Sequence, residues 1–139
     1  MKPPDAVLRE LVHQWIEKAE RDFEAASHLL AEDGRFREII AFHCQQAVEK
    51  YLKALLVRYQ VEFPKTHDIR KLLDSAGKID ASLAQALDGA DFLTPFGVEV
   101  RYPSDAPEML PGSETAALDI ARRTRSAIIT LLQPYLAGQ

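Results

Sequence analysis

Within IIAFHCQQAVEKYLKALL, residues 39–56, His43, Gln46, Lys50 and Lys53 recur at steps of three and four. An imidazole can move protons near neutral pH, an amide can hydrogen-bond a base edge, and ammonium groups can neutralise phosphate. On a helix turning ~100° per residue, Gln46 lies roughly 60° from His43, Lys50 about 20° and Lys53 about 80°, all to one side. The four make one strip. Cys44, Val48, Tyr51, Leu55 and Tyr59 cluster on another side, the one expected to bury. Glu49 precedes Lys53 by four residues, the favourable order for an ion pair. A polar strip is commonly a solvated face, and that reading stands beside the functional one. Ile39 and Phe42 share its sector, however, which predicts cover from a second helix or another subunit, with His43, Gln46 and Lys50 near the seam.

Three further groups have chemical potential. His67 and Asp68 stand where a helix should begin, as capping residues or as ligands. Arg101-Tyr102-Pro103 lies in an irregular stretch, where Arg can hold phosphate and Tyr can stack on a base. The same pair could equally anchor the loop. Arg122, Arg123 and Arg125 fall on the outer side of a last helix and read as solvated, and Trp15 reads as core. Cys44 reads as a small buried hydrophobe.

The elements that position these groups are helical. After Pro3-Pro4-Asp5, apolar residues recur as Leu8, Leu11, Trp15, Ala19, Phe23, Ala26 and Leu30, predicting a helix that stops near Asp33-Gly34. A second helix is expected from about Phe36 to Tyr59, and a third from Thr66 or Asp68 to Gly77. A fourth should run from about Asp80 to Leu93. Thr94 to Gly112 holds Pro95, Gly97, Pro103, Pro107, Pro111 and Gly112, too closely spaced for a stable helix. A last helix is predicted from near Ser113 to Tyr135, with Ala117, Ala121, Thr124, Ile128, Leu131 and Tyr135 on one side. The pattern specifies one all-α domain over residues 1–139: an up-and-down helical bundle of about five helices. A long N-terminal helical hairpin and an irregular Pro-rich segment before the last helix complete it.

Composition narrows the function. The 139 residues are 47% hydrophobic and 27% charged, ordinary for a globular chain, with a net charge of −4. A protein coating long phosphate backbones would be basic, so any nucleic-acid contact must be local. A single cysteine leaves no intramolecular disulfide and no cysteine-based zinc site. No metal or cofactor is expected. Without a secretion-type leader or a run of 18 apolar residues, the chain reads as cytoplasmic, soluble and off the membrane.

His43, Gln45/Gln46, Glu49, Lys50, Lys53, Ala54 and Leu56, preceded by Ala19, Glu20 and Asp22, resemble the HEPN family (higher eukaryotes and prokaryotes nucleotide-binding domain). Pro64, Thr66, His67, Asp68 and Ile69, and then Arg101-Tyr102-Pro103, extend the resemblance over roughly residues 17–136. It implies a bundle that pairs with itself through its long helices, beside a small nucleotidyltransferase, in a two-component, toxin–antitoxin-like system. It implies nucleotide or RNA binding, with Gln46, Lys50, Lys53, His67, Arg101 and Tyr102 as candidates. Many HEPN domains are instead metal-independent ribonucleases with an Arg-x(4–6)-His motif in the dimer cleft, which would make His43 catalytic. Arg37 and His43 fit that spacing, as do Arg21 and His28, but Arg37 points about 120° away from His43 on its helix. No histidine follows His67, and no tyrosine stands two residues after His28 or His43. Binding module, ribonuclease and purely structural dimerisation module therefore remain open readings.

Overall fold

The computed structural model describes residues 4–32, 34–97 and 109–138. Arg101, Tyr102 and Pro103 lie outside them. The described chain is helical: α1 (Asp5–Glu32), a 3-10 turn (Gly34–Phe36), α2 (Arg37–Arg58), α3 (Ile69–Gly77), α4 (Ala81–Ala86), a 3-10 stretch (Ala90–Gly97) and α5 (Ser113–Leu136).

α1 and α2 form the expected hairpin, and theirs is the most extensive contact in the molecule. α1 buries a narrow line of small and branched residues, Leu8, Val12, Ala19 and Ala26. Leu11, assigned to the core by its spacing, is 41% exposed. Trp15 and Phe23 are half-buried against the core edge.

α2 is the central element. It packs on α1, α3, α5 and the 3-10 stretch, so thirteen of its 22 residues are buried. Surrounded in this way, it has no wet side wide enough to look amphipathic. Ile40, Tyr51, Leu52, Leu55 and Leu56 are fully enclosed.

The predicted fourth helix is shorter than its apolar spacing suggested. α4 ends at Ala86, Gly89 takes the left-handed region at φ 93°, and the chain resumes as a 3-10 stretch to Gly97 with Pro95 inside. Leu83, Leu87, Ala90 and Leu93 still reach the core from this broken path. Gly97 rests on Gln45 of α2: a Cβ there would come within 2.5–2.7 Å of the glutamine amide. α5 closes the bundle through Ala117, Ala121, Ile128 and Leu132, whereas Leu131, placed inward by its spacing, is 37% exposed.

Candidate functional site

His43 and Lys50 are seven residues apart on α2 and so project only ~20° from one another. Both reach the same carboxylate on α1. Asp22 Oδ1 lies 2.9 Å from His43 Nδ1, and Asp22 Oδ2 accepts from Lys50 Nζ at 2.5 Å. The side chains are 28% (His43), 22% (Lys50) and 13% (Asp22) exposed, so the cluster sits at the mouth of the α1–α2 seam. Burial pushes the Asp22 carboxyl up, but hydrogen bonds from His43 and Lys50 and the Lys50 charge outweigh it and hold it below its usual range. An ionised Asp22 facing Nδ1 makes that nitrogen the donor. Nε2 of a neutral ring is then a free acceptor, without a partner among the described residues. The arrangement can therefore accept a proton or a hydrogen bond from a ligand while Lys50 stays fixed alongside.

A second polar cluster lies further round α2, under the loop before α3. Glu49 is 3% exposed. Its Oε1 meets His67 Nδ1 at 2.8 Å and the Gln45 amide at 3.3 Å, and its Oε2 accepts from Lys53 Nζ at 3.3 Å. Gln45 also donates to the His67 carbonyl at 3.1 Å, and Gln46 donates to Gln45 at 2.8 Å. Lys53 is 7% exposed, with its ammonium 5.6 Å from the Trp15 ring and 5.8 Å from that of Phe63. Such a cage stabilises the charge without water. His67, by contrast, has a side chain 69% exposed. Next to it Asp68 caps α3, accepting from the Arg70 amide at 3.0 Å, while Ile69 N donates to Thr94 Oγ1 at 3.1 Å.

The candidate residues thus divide in two. His43 and Lys50 share Asp22, and Lys53 and His67 share Glu49. Gln46 lies on the strip between them and is tied to the second group through Gln45. The predicted cover over the strip is α1 of the same chain. Arg37 turns away, as its helical angle requires, and pairs with Glu114 of α5 at 2.6 Å. Arg21 and His28 sit in exposed pairs with Glu17 and Glu32 on α1. Arg125 is not simply solvated: it grips Glu20 through two hydrogen bonds, 2.7 and 3.0 Å, and Glu20 also accepts from the Tyr51 hydroxyl at 2.6 Å.

The part of Asp22 as a bridge was missed by the helical spacing of α2, because a carboxylate 21 residues upstream leaves no local signal. Gln45 was missed likewise, since an amide among apolar residues announces no partner. Among the described residues, no group of three or more His, Cys, Asp or Glu could hold a metal ion. None of the described helices is long and apolar enough to cross a membrane.

The family model for the HEPN domain matches residues 12–132, most of the chain and every residue of both polar clusters. No curated protein and no solved structure matches it.

Proposed function

Since this chain belongs to the HEPN family over most of its length, we propose that it is a nucleotide- or RNA-binding module acting as a homodimer. Its partner in this reading is a small nucleotidyltransferase in a two-component, toxin–antitoxin-like system. The observation that carries the ligand site is the unpaired Nε2 of His43, oriented by Asp22 and flanked by Lys50 at the seam mouth. Asp22 and Lys50 cancel in charge. The site therefore suits a ribose hydroxyl or base edge better than a bare phosphate. Gln46 can add an amide, and His67 is exposed beside the second cluster; Arg101 and Tyr102, which the family resemblance adds as candidates, lie outside the described residues. Lys53 contributes by fixing Glu49, since its own ammonium is enclosed.

The test is calorimetric titration of the protein with adenine and guanine nucleotides and with short RNA. Wild type should bind at least one of them, and His43→Ala should weaken that binding by about tenfold, the value of one good hydrogen bond. Equal affinity for wild type and variant would remove the seam from consideration.

A ribonuclease reading is favoured by one observation, the Asp22–His43 contact, because a carboxylate behind an imidazole is how a general base is held in its tautomer. Against it, Arg37 is committed to Glu114. RNA left intact by the pure protein, or cut equally well by His43→Ala, would end this reading.

A further inference from the structure

Two arginines at one end of the bundle share an aromatic ring in place of a carboxylate. Arg21, Arg37, Arg70, Arg123 and Arg125 all pair with carboxylates of this chain. Arg9 of α1 and Arg58 in the last turn of α2 have no carboxylate partner among the described residues. In a chain with more acidic than basic residues, that is not for lack of partners.

Both instead lie against Tyr135 of α5. The Arg58 guanidinium carbon is 4.0 Å from the ring centre and that of Arg9 is 5.1 Å, so the two are within about 9 Å of each other. Arg58 also lies 4.9 Å from the ring of Tyr59, which is 47% exposed. Arg9 spends its Nε on the Tyr135 carbonyl at 3.1 Å, and its terminal nitrogens have no acceptor among the described residues. The Arg58 side chain makes no hydrogen bond among the described residues. A guanidinium carries five N–H donors in its plane, and stacking on an aromatic face leaves all of them on its rim. The carbonyl ends of α2 and α5 offset part of the positive charge, roughly half a charge per helix end. Two full charges exceed that.

We infer that Arg9 and Arg58, braced by Tyr135, form an oxyanion site for a phosphate group, with Tyr59 as an exposed ring beside it. Paired, preoriented guanidinium forks match the oxygens of phosphate, and an adjacent aromatic face suits a nucleobase. The phosphate belongs either to a mononucleotide or to an RNA strand. The site stands independently of His43 and Lys50, and uses residues outside both polar clusters.

The experiment titrates the full chain, in phosphate-free buffer at low salt, with inorganic phosphate, ADP and a six-nucleotide RNA. Side-chain nitrogen resonances of Arg9 and Arg58 and calorimetric affinity are the readouts. All three probes should shift those resonances, with Tyr59 ring signals moving for ADP and RNA but not for phosphate. Tighter binding of ADP than RNA identifies the mononucleotide, and the reverse order identifies the strand. Arg58→Gln and Arg9→Gln should each weaken binding about tenfold, the scale of a charge-assisted hydrogen bond. Arg58→Lys should fall between, while Arg123→Gln leaves phosphate affinity unchanged. Resonances that stay still in wild type at millimolar phosphate, ADP and RNA overturn the site. So does unchanged affinity in folded Arg9→Gln and Arg58→Gln proteins. The wild-type resonances decide the matter even if a variant fails to fold.

Discussion

Glu49 and Lys53 show how a polar residue can be read from its spacing and still be misjudged for exposure. Their i, i+4 pairing follows from the helix alone, and the 3.3 Å contact agrees with it. Their near-complete burial does not follow, because it depends on Trp15 from α1 and Phe63 from the following loop, which lie against Lys53, and on Gln45 and His67, which lie against Glu49. Burial makes the pair costly to break. Lys53→Ala leaves a buried carboxylate with only the Gln45 amide and the His67 imidazole, and should destabilise the protein by about 3–5 kcal/mol. Replacing Glu49 and Lys53 together with leucine should recover most of that. Urea unfolding of the three proteins checks both statements. Cys44, fully buried, belongs to the same scale: burial pushes its thiol up to about 12, against a smaller opposing effect of Arg122. It should react with a thiol reagent at pH 8 only after denaturant is added.

Helix boundaries were legible wherever a local signal sets them. Asp68 accepts from the backbone two residues on, and Asp80 does the same for α4. Asp68→Ala should cost about 1 kcal/mol, measured as a lowered urea midpoint. The α4 region was misjudged because Leu83, Leu87, Ala90 and Leu93 keep helical spacing across a break. Asp88-Gly89 is a turn signal, and the left-handed Gly89 acts on it. The apolar residues still face the core because a 3-10 stretch also brings every third residue to one side. Leu11 and Leu131 were misassigned for a related reason. Each sits beside the true buried line, Val12 and Leu132, and spacing places a stripe to within one residue only.

For the whole molecule, the surface and the acid response are the tests. Val7, Leu11 and Ile39 are large apolar residues left exposed on the two hairpin helices, at 49%, 41% and 47%. Ile39, on the same sector of α2 as the polar strip, is the residue the proposed homodimer would cover, so Ile39→Asp should turn a dimer into a monomer in light-scattering measurements. A wild type that elutes as a monomer at high micromolar concentration would end the dimer proposal. The acid response follows from Glu20, Asp22 and Glu114. Burial raises the first two carboxyls, but Arg125 and Tyr51 for Glu20, and His43 and Lys50 for Asp22, bring each below its ordinary value. A backbone hydrogen bond of its own, followed by Arg37, lowers Glu114. In each case the unfolded chain takes up the proton at higher pH than the folded one. The stabilisation is thus complete above the usual carboxylate range near pH 4 and is lost as pH falls through the lowered values. Urea midpoints measured between pH 6 and pH 2 should fall, and Asp22→Asn should flatten part of that slope.

Taken alone, the order of residues determined that this protein is a helical bundle. It also placed His43, Gln46, Lys50 and Lys53 on one strip and opened α3 at Thr66 or Asp68, because periodicity and capping act over a few residues. Which strip members share a carboxylate, and which are closed from water, was decided by the tertiary structure. Asp22 reaches His43 from a separate helix, and Arg9, Arg58 and Tyr135 come together from three helix ends. Contacts between residues that distant are chosen by packing of the whole bundle, and no local pattern encodes them.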